Sequence, residues 1–211
     1  MSRFQAQALD AIACSTCDGS FDLAALDACE PLVRCLVRAT EYRDPYTAGH
    51  QANVRTLTIK IAQMLGLSET EVALAGLGAA LHDIGKIAVP AEILTKPGRL
   101  SAPEWEIMKS HTLAGFEILA GAGLPEQISD IVVHHHERLD GSGYPHRLGG
   151  SAIRREARIV AVADVIDAIT SHRPYRPSLG LDVALETVAA GSGRLFDAEV
   201  VAAALEVATE R

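Results

Sequence analysis

Apolar positions along the chain recur with a helical period. Leu23, Leu26, Leu32, Val33, Leu36 and Val37 fall largely on one face, and Leu57, Ile61, Met64 and Leu65 repeat the i, i+3, i+4 spacing. No segment alternates as a strand. Helix starts are written locally: SETE at 68–71 and SAPE at 101–104 both match the S-x-x-E capping box, the second with Pro103 inside the first turn. Leu124-Pro125-Glu126 marks another start. Breakers fall at Pro90, at Lys96-Pro97-Gly98, across Asp140 to Pro145, at Gly149-Gly150, at Pro174 and Pro177, and at Gly191 to Gly193. The pattern predicts an all-α domain, a helical bundle of about eight or nine helices.

Length and composition narrow the class. A chain of 211 residues with 48% hydrophobic content can bury one sizeable core, so one main domain is expected. The Cys- and Ala-rich residues 1–40 read as a helical segment packed on a main domain over 41–211, being too short to fold alone. The longest apolar run, Val72 to Leu81, is roughly half of what a bilayer span needs, and the N-terminus lacks the basic-then-apolar order of a signal peptide. A cytoplasmic location without membrane contact is expected. The net charge of -8 argues against long nucleic acid, which is bound through clustered Lys and Arg, but leaves room for a small anion held by local cations. Cys14, Cys17, Cys29 and Cys35 lack a paired second CxxC. Free, partly buried thiols are expected rather than a zinc site.

The chemistry lies in histidines and aspartates. His82 and Asp83 end the apolar helix of Val72 to Leu81, in LHDIGK. Burying an imidazole beside a carboxylate is costly unless each is paired, and a divalent metal satisfies both. Asp164 interrupts ARIVAVADVIDAI, and Asp167 lies near the same face; a lone carboxylate there would more often bond backbone or an Arg. His111, in EWEIMKSHTLAGFEIL on a predicted helix, and His50, near a helix start after RDPYTAG, are weak signals singly. Together, five segments each offer His or Asp, which is how a metal site is built inside a helical bundle. His50, His82, Asp83, His111, His135, His136 and Asp164 exceed what one ion with an open position can use, so two ions are expected. Mixed imidazole and carboxylate ligands without thiolate favour six-coordinate Fe or Mn over structural zinc, with Asp83 the natural bridge. Two ions suit in-line phosphoryl displacement.

These residues resemble the HD-GYP family, a branch of the HD metal-dependent phosphohydrolases. The matching stretches run from about Tyr42 to Phe196: RDPYTAGH, LHDIGKIAVPAEILTKPGRLSAPEWEIMKSH, HHERLDGSGYP, ARIVAVADVIDAITSHRPYR and LFDAEVV. The resemblance implies an all-α bundle with two or three metals that hydrolyses bacterial cyclic di-GMP to linear pGpG or onward to GMP. It aligns the seven residues above with metal ligands, and its register assigns His135 and His136, not His134, to that role. Lys86 aligns with a lysine that approaches a substrate phosphate. Arg173 and Arg176 align with phosphate-contacting positions, and Pro174 and Pro177 stiffen their segment independently. Gly143, Tyr144 and Pro145 form the GYP loop, which can bring backbone and an aromatic ring to the ligand. Glu137 is expected to orient an imidazole, and Asp140 and Gly141 to turn the chain.

Two departures stand out. Members with a third metal usually carry Glu one turn before the first histidine, where this chain has Tyr46, so two metals are implied. Asn53 replaces a common arginine. The expected mechanism is attack of metal-bound hydroxide on phosphorus, with Asp83 bridging the ions and Lys86 and the arginines neutralising phosphate charge. A rival class is a binding module that takes up cyclic di-GMP as a signal with little hydrolysis. Another is a different HD-type nucleotide phosphohydrolase, against which the GYP loop weighs. A second copy or a signalling protein is the expected kind of macromolecular partner.

Overall fold

The structure, a computed structural model, describes residues 23–44, 49–171 and 178–209. Ten α-helices occupy the described residues. They are α1 (Leu23–Arg43), α2 (His50–Met64), α3 (Glu69–Leu81), α4 (Ala91–Leu94) and α5 (Ala102–Lys109). Then follow α6 (His111–Leu119), α7 (Glu126–His134), α8 (Arg155–Thr170), α9 (Leu181–Ala190) and α10 (Ala198–Thr209). Short 3-10 turns cover Ile84–Ala88 and Gly150–Ala152. No strand forms among the described residues, where only isolated bridges pair Asp140 with Gly149 and Ser192 with Phe196. The fold is all-α, with more helices than the periodicity counts. One reason is that the expected helix through His111 divides at Ser110, whose hydroxyl donates to the Ile107 carbonyl at 2.6 Å.

Both capping boxes form. The Ser68 amide donates to the Glu71 carboxylate at 2.8 Å and the Ser101 amide to Glu104 at 2.7 Å, so each helix start satisfies amides that would otherwise lack partners. Lys96 adds an ion pair to Glu104 at 2.6 Å. α1 runs unbroken through residue 40, where the Thr40 hydroxyl donates back to Leu36, and it packs Val33 against the Leu74, Leu77 and Leu81 face of α3.

Two apolar clusters share α3 and α7. One joins Val54 and Ile61 of α2 to Ile131, to the Ile159, Val160 and Val162 stretch of α8, and to Val200 of α10. The other holds Val33, Leu77, Leu81, Ile84, Leu119, Ile128 and Val132. α3 is buried continuously from Leu74 to Leu81, and α8 is buried on nearly every side. Polar groups at the end of α3 and within α8 therefore face protein, not water. Packing at the HD turn depends on Gly85: a Cβ there would lie 1.8 Å from the His111 carbonyl oxygen and 2.4 Å from the Gly115 amide. The turn after α3 thus meets the start of α6 backbone to backbone. Among the described residues no helix is long and apolar enough to cross a membrane. Cys29 is half-buried and Cys35 exposed, both free thiols; Cys14, Cys17, Tyr46, Arg173, Pro174, Arg176 and Pro177 lie outside the described residues.

Candidate metal centre

Helix ends deliver the site. His50 opens α2, His82 caps α3, His111 opens α6, His135 caps α7, and Asp164 enters from the middle of α8. The structure brings all seven candidate ligands into three overlapping clusters: His50, His82 and Asp164; His82, Asp83 and His135; and His111, His135 and His136. Asp83 lies between the halves. Its Oδ2 is 3.4 Å from His82 Nε2 and 3.8 Å from His50 Nε2, whereas Oδ1 is 3.5 Å from His111 Nε2.

A shared backbone device fixes three of the imidazoles. The Nδ1 atoms of His82, His111 and His135 lie 2.7, 2.8 and 2.8 Å from the carbonyls of Ala79, Met108 and Val132, each three residues earlier. A carbonyl only accepts, so each Nδ1 carries the proton and each Nε2 keeps a lone pair. Those lone pairs converge. Nε2 of His111 and Nε2 of His135 are 3.5 Å apart with no proton to share, and His82 Nε2 is fully buried without a hydrogen-bond partner. Opposed buried lone pairs lose energy unless a cation lies among them. The donor set therefore fits divalent metal, on the geometry of this chain alone.

Electrostatics agree. Burial lowers the pKa of His111 and His135, and it takes His136 down to about 3 with help from the nearby His111, so these rings are neutral and free to ligate. Burial would raise the Asp83 and Asp164 carboxyls, but Lys86 for the first and His50 for the second hold them well below the usual carboxylate range. Lys86 Nζ sits 2.7 Å from Asp83 Oδ2 and 3.6 Å from the buried Asp44.

Three positions acquire roles that the sequence does not disclose. Asp167 accepts from His50 Nδ1 at 2.6 Å, with Ser171 Oγ 3.0 Å away and Asn53 also bonded to the same carboxylate. Asn53, the departure from the family pattern, thus supports the acceptor that orients His50. Glu137 does not orient an imidazole. Its buried carboxylate accepts the backbone amides of His146 at 2.7 Å and Leu148 at 3.0 Å, tying down the glycine loop. Gly143 seats that loop on the ligand segment: its Cβ would lie 2.4 Å from Glu137 Cα, and the Tyr144 amide donates to the His136 carbonyl at 3.3 Å. Asp140 and Gly141 do turn the chain, with the Ser142 amide donating to Asp140 at 3.0 Å and Gly141 at φ 75°. His134 points away, to Asp130 and His146 at 3.0 Å each. The signal for Asp167 was its spacing from Asp164; its partner, 117 residues away, could only come from the fold.

A helical bundle with His and Asp at converging helix ends defines the HD fold, and the HD domain profile matches residues 34–200. The chain belongs to the HD domain family, on the HD-GYP branch that its motifs resemble. Over 172 residues it is 47% identical to the cyclic di-GMP phosphodiesterase response regulator RpfG of Xanthomonas campestris pv. campestris, covering 81% of this chain and 46% of that protein. It is 44% identical to a cyclic di-GMP phosphodiesterase of Thermotoga maritima, covering 81% and 47%. A 3'3'-cGAMP-specific phosphodiesterase 2 of Vibrio cholerae is 40% identical over 83% and 34%. The chain thus spans less than half the length of these relatives. Among solved structures, Bd1817, an HDG"Y"P protein from Bdellovibrio bacteriovorus, shares the fold with a TM-score of 0.68 at 18% identity, covering 89% of this chain and 65% of that one. HD domain phosphohydrolases are metal-dependent, and the clustered histidines and aspartates suit that property.

Proposed function

We propose that this chain is a metal-dependent phosphodiesterase that opens cyclic di-GMP to linear pGpG, with GMP a further product. The observation that carries the reading is the convergence of seven His and Asp side chains on one buried centre, with the Lys86 ammonium 2.7 Å from its central carboxylate. Names of relatives at 40–47% identity support the substrate class. In this reading His50, His82, Asp83, His111, His135, His136 and Asp164 would hold two ions, Fe or Mn by the hardness of the donor set.

Bound ions would supply Lewis acidity toward a phosphoryl oxygen and lower the pKa of water. The protein's part is positioning and charge. The Nδ1 bonds to backbone hold the imidazoles, Lys86 meets phosphate charge as it develops, and Tyr144 lines the approach beside His136, with ring centroids 4.7 Å apart. Burial pushes the Tyr144 phenol up, so it stays protonated and can donate to a phosphate oxygen but not act as base. Water oxygen bonds to phosphorus, the bond to the 3′ oxygen breaks, and that oxygen takes up a proton, leaving pGpG. Arg173 and Arg176 are proposed to hold the second phosphate.

Purified chain loaded anaerobically with Fe or Mn should release pGpG from cyclic di-GMP, followed by ion-pair chromatography. Tight binding without product in metal-replete protein would sink the enzymatic reading in favour of a receptor.

A further inference from the structure

We infer that the cavity on the far side of Tyr144 from the metal centre is a purine nucleotide subsite, with Trp105 as its stacking face and Arg147 and Lys109 as its phosphate contacts. This deepens the proposed function, on which it rests for the identity of the nucleotide. The cavity is about 640 Å³, of the size of a nucleotide site, and lies between α5 and the glycine loop. Tyr144 is its partition. On one side the Tyr144 ring centroid is 4.7 Å from His136, and on the other it is 6.3 Å from Trp105 in an edge-to-face arrangement.

The walls carry the chemistry a nucleotide needs. Trp105 is 46% exposed although it is the chain's only tryptophan and borders an apolar neighbour, Leu113, which is itself exposed. An indole left half in water beside a cavity offers a flat face to a base. Lys109 Nζ lies 5.7 Å over the Tyr144 ring and pairs with the exposed Glu106, which lines the same cavity, at 2.8 Å. Arg147 makes no ion pair among the described residues and is the one non-glycine there with positive φ, at 56°. Glu137, 2% exposed, enforces that conformation by accepting the amides on either side of Arg147. A buried carboxylate thus holds a solvent-facing guanidinium in a disfavoured backbone state at a cavity rim. Such stored strain is expected where a side chain must meet a ligand. With Lys109 paired to Glu106, Arg147 leaves the rim one positive charge in excess, and beside an indole that charge suits an anionic aromatic ligand.

The single tryptophan is its own reporter. GMP titrated into metal-loaded protein should quench Trp105 fluorescence saturably, and ribose 5-phosphate, which lacks the base, should not. By calorimetry, Trp105→Leu and Arg147→Ala should each bind GMP at least about fivefold more weakly, the low end of base stacking and charged contacts. Arg147 is in an exposed loop, so its variant reads the subsite even if Trp105→Leu disturbs α5. Absence of saturable quenching, equal quenching by ribose 5-phosphate, or unchanged GMP affinity in both variants overturns the subsite. Cyclic di-GMP turnover measured on the same preparation separates the two readings. Turnover without quenching removes the subsite alone, and quenching without turnover removes the phosphodiesterase alone.

Discussion

Asp167→Asn tests the carboxylate that stands behind His50. In the metal-free protein burial lowers the His50 pKa, but bonds to Asp164 and Asp167 and the charge of Asp83 more than compensate, pushing it up to about 9. A cation at Nε2 needs a deprotonated ring nitrogen, so below that pKa it must displace a proton. Near pH 7.5 this costs about 2 kcal/mol, or about thirtyfold in apparent affinity, from about 1.5 units at 1.36 kcal/mol each. Wild-type affinity should therefore climb close to tenfold per pH unit from about 7 toward 9 and level off above. Asn keeps the volume but removes the charge, so the His50 pKa falls and the plateau begins at lower pH. On the plateau only orientation and basicity of the imidazole differ, and loss of the charged Nδ1 partner should weaken binding by about 10- to 100-fold. Competition against a fluorescent chelator, with zinc as a redox-inert probe, reads both regimes. The same plateau onset and the same plateau affinity in the two proteins would refute the reasoning. The stability sign also follows: the raised His50 pKa stabilises the metal-free fold fully below the unfolded value of about 6.5 and that contribution is lost as pH rises through about 9. Melting temperatures of the two metal-free proteins should converge above that pH.

Other positions give sharper yes-or-no outcomes. Gly85→Ala puts a methyl 1.8 Å from the His111 carbonyl, a backbone clash that should cost about 3 kcal/mol or more in urea unfolding and lower bound metal with it; near-wild-type stability would contradict the close approach. His134→Ala should retain its metal while His136→Ala loses part of it, read by elemental analysis, because only His136 joins the clusters. Glu137→Gln swaps an acceptor oxygen for an amide facing backbone N–H groups, and should destabilise by about 1–3 kcal/mol and raise KM more than it lowers kcat, through loosening of the loop at Arg147 and Tyr144.

Much of the site was legible because its residue types contradict their surroundings. An imidazole and a carboxylate at the end of the apolar Val72 to Leu81 run, and a carboxylate inside α8, are expensive to bury unpaired, so their presence already announced a cation. The Ser68 and Ser101 helix starts were equally plain, since capping is settled within four residues. Other features were not local. Glu137 reads from the sequence as a partner for an adjacent imidazole, yet its carboxylate turns to amides nine and eleven residues on, because Gly143 lets the loop fold back over it. The helix through His111 looked continuous, and its division at Ser110 reflects the tertiary demand that the His111 ring and carbonyl face the turn at Gly85.

The chain's sequence alone determined where the capped helices begin and that the fold is helical, because each depends on spacing within a turn or two; His82, Asp83 and Asp164 stood out by the cost of burying charge, and the family resemblance supplied the rest of the candidate ligand set. Only the tertiary structure decided what stands behind His50 and which cavity Trp105 and Arg147 share. Those relations join groups dozens of residues apart, from the 117 between His50 and Asp167 to the loop that crosses from Tyr144 to α5. Periodicity carries no information across such distances; packing of one helix end against another does.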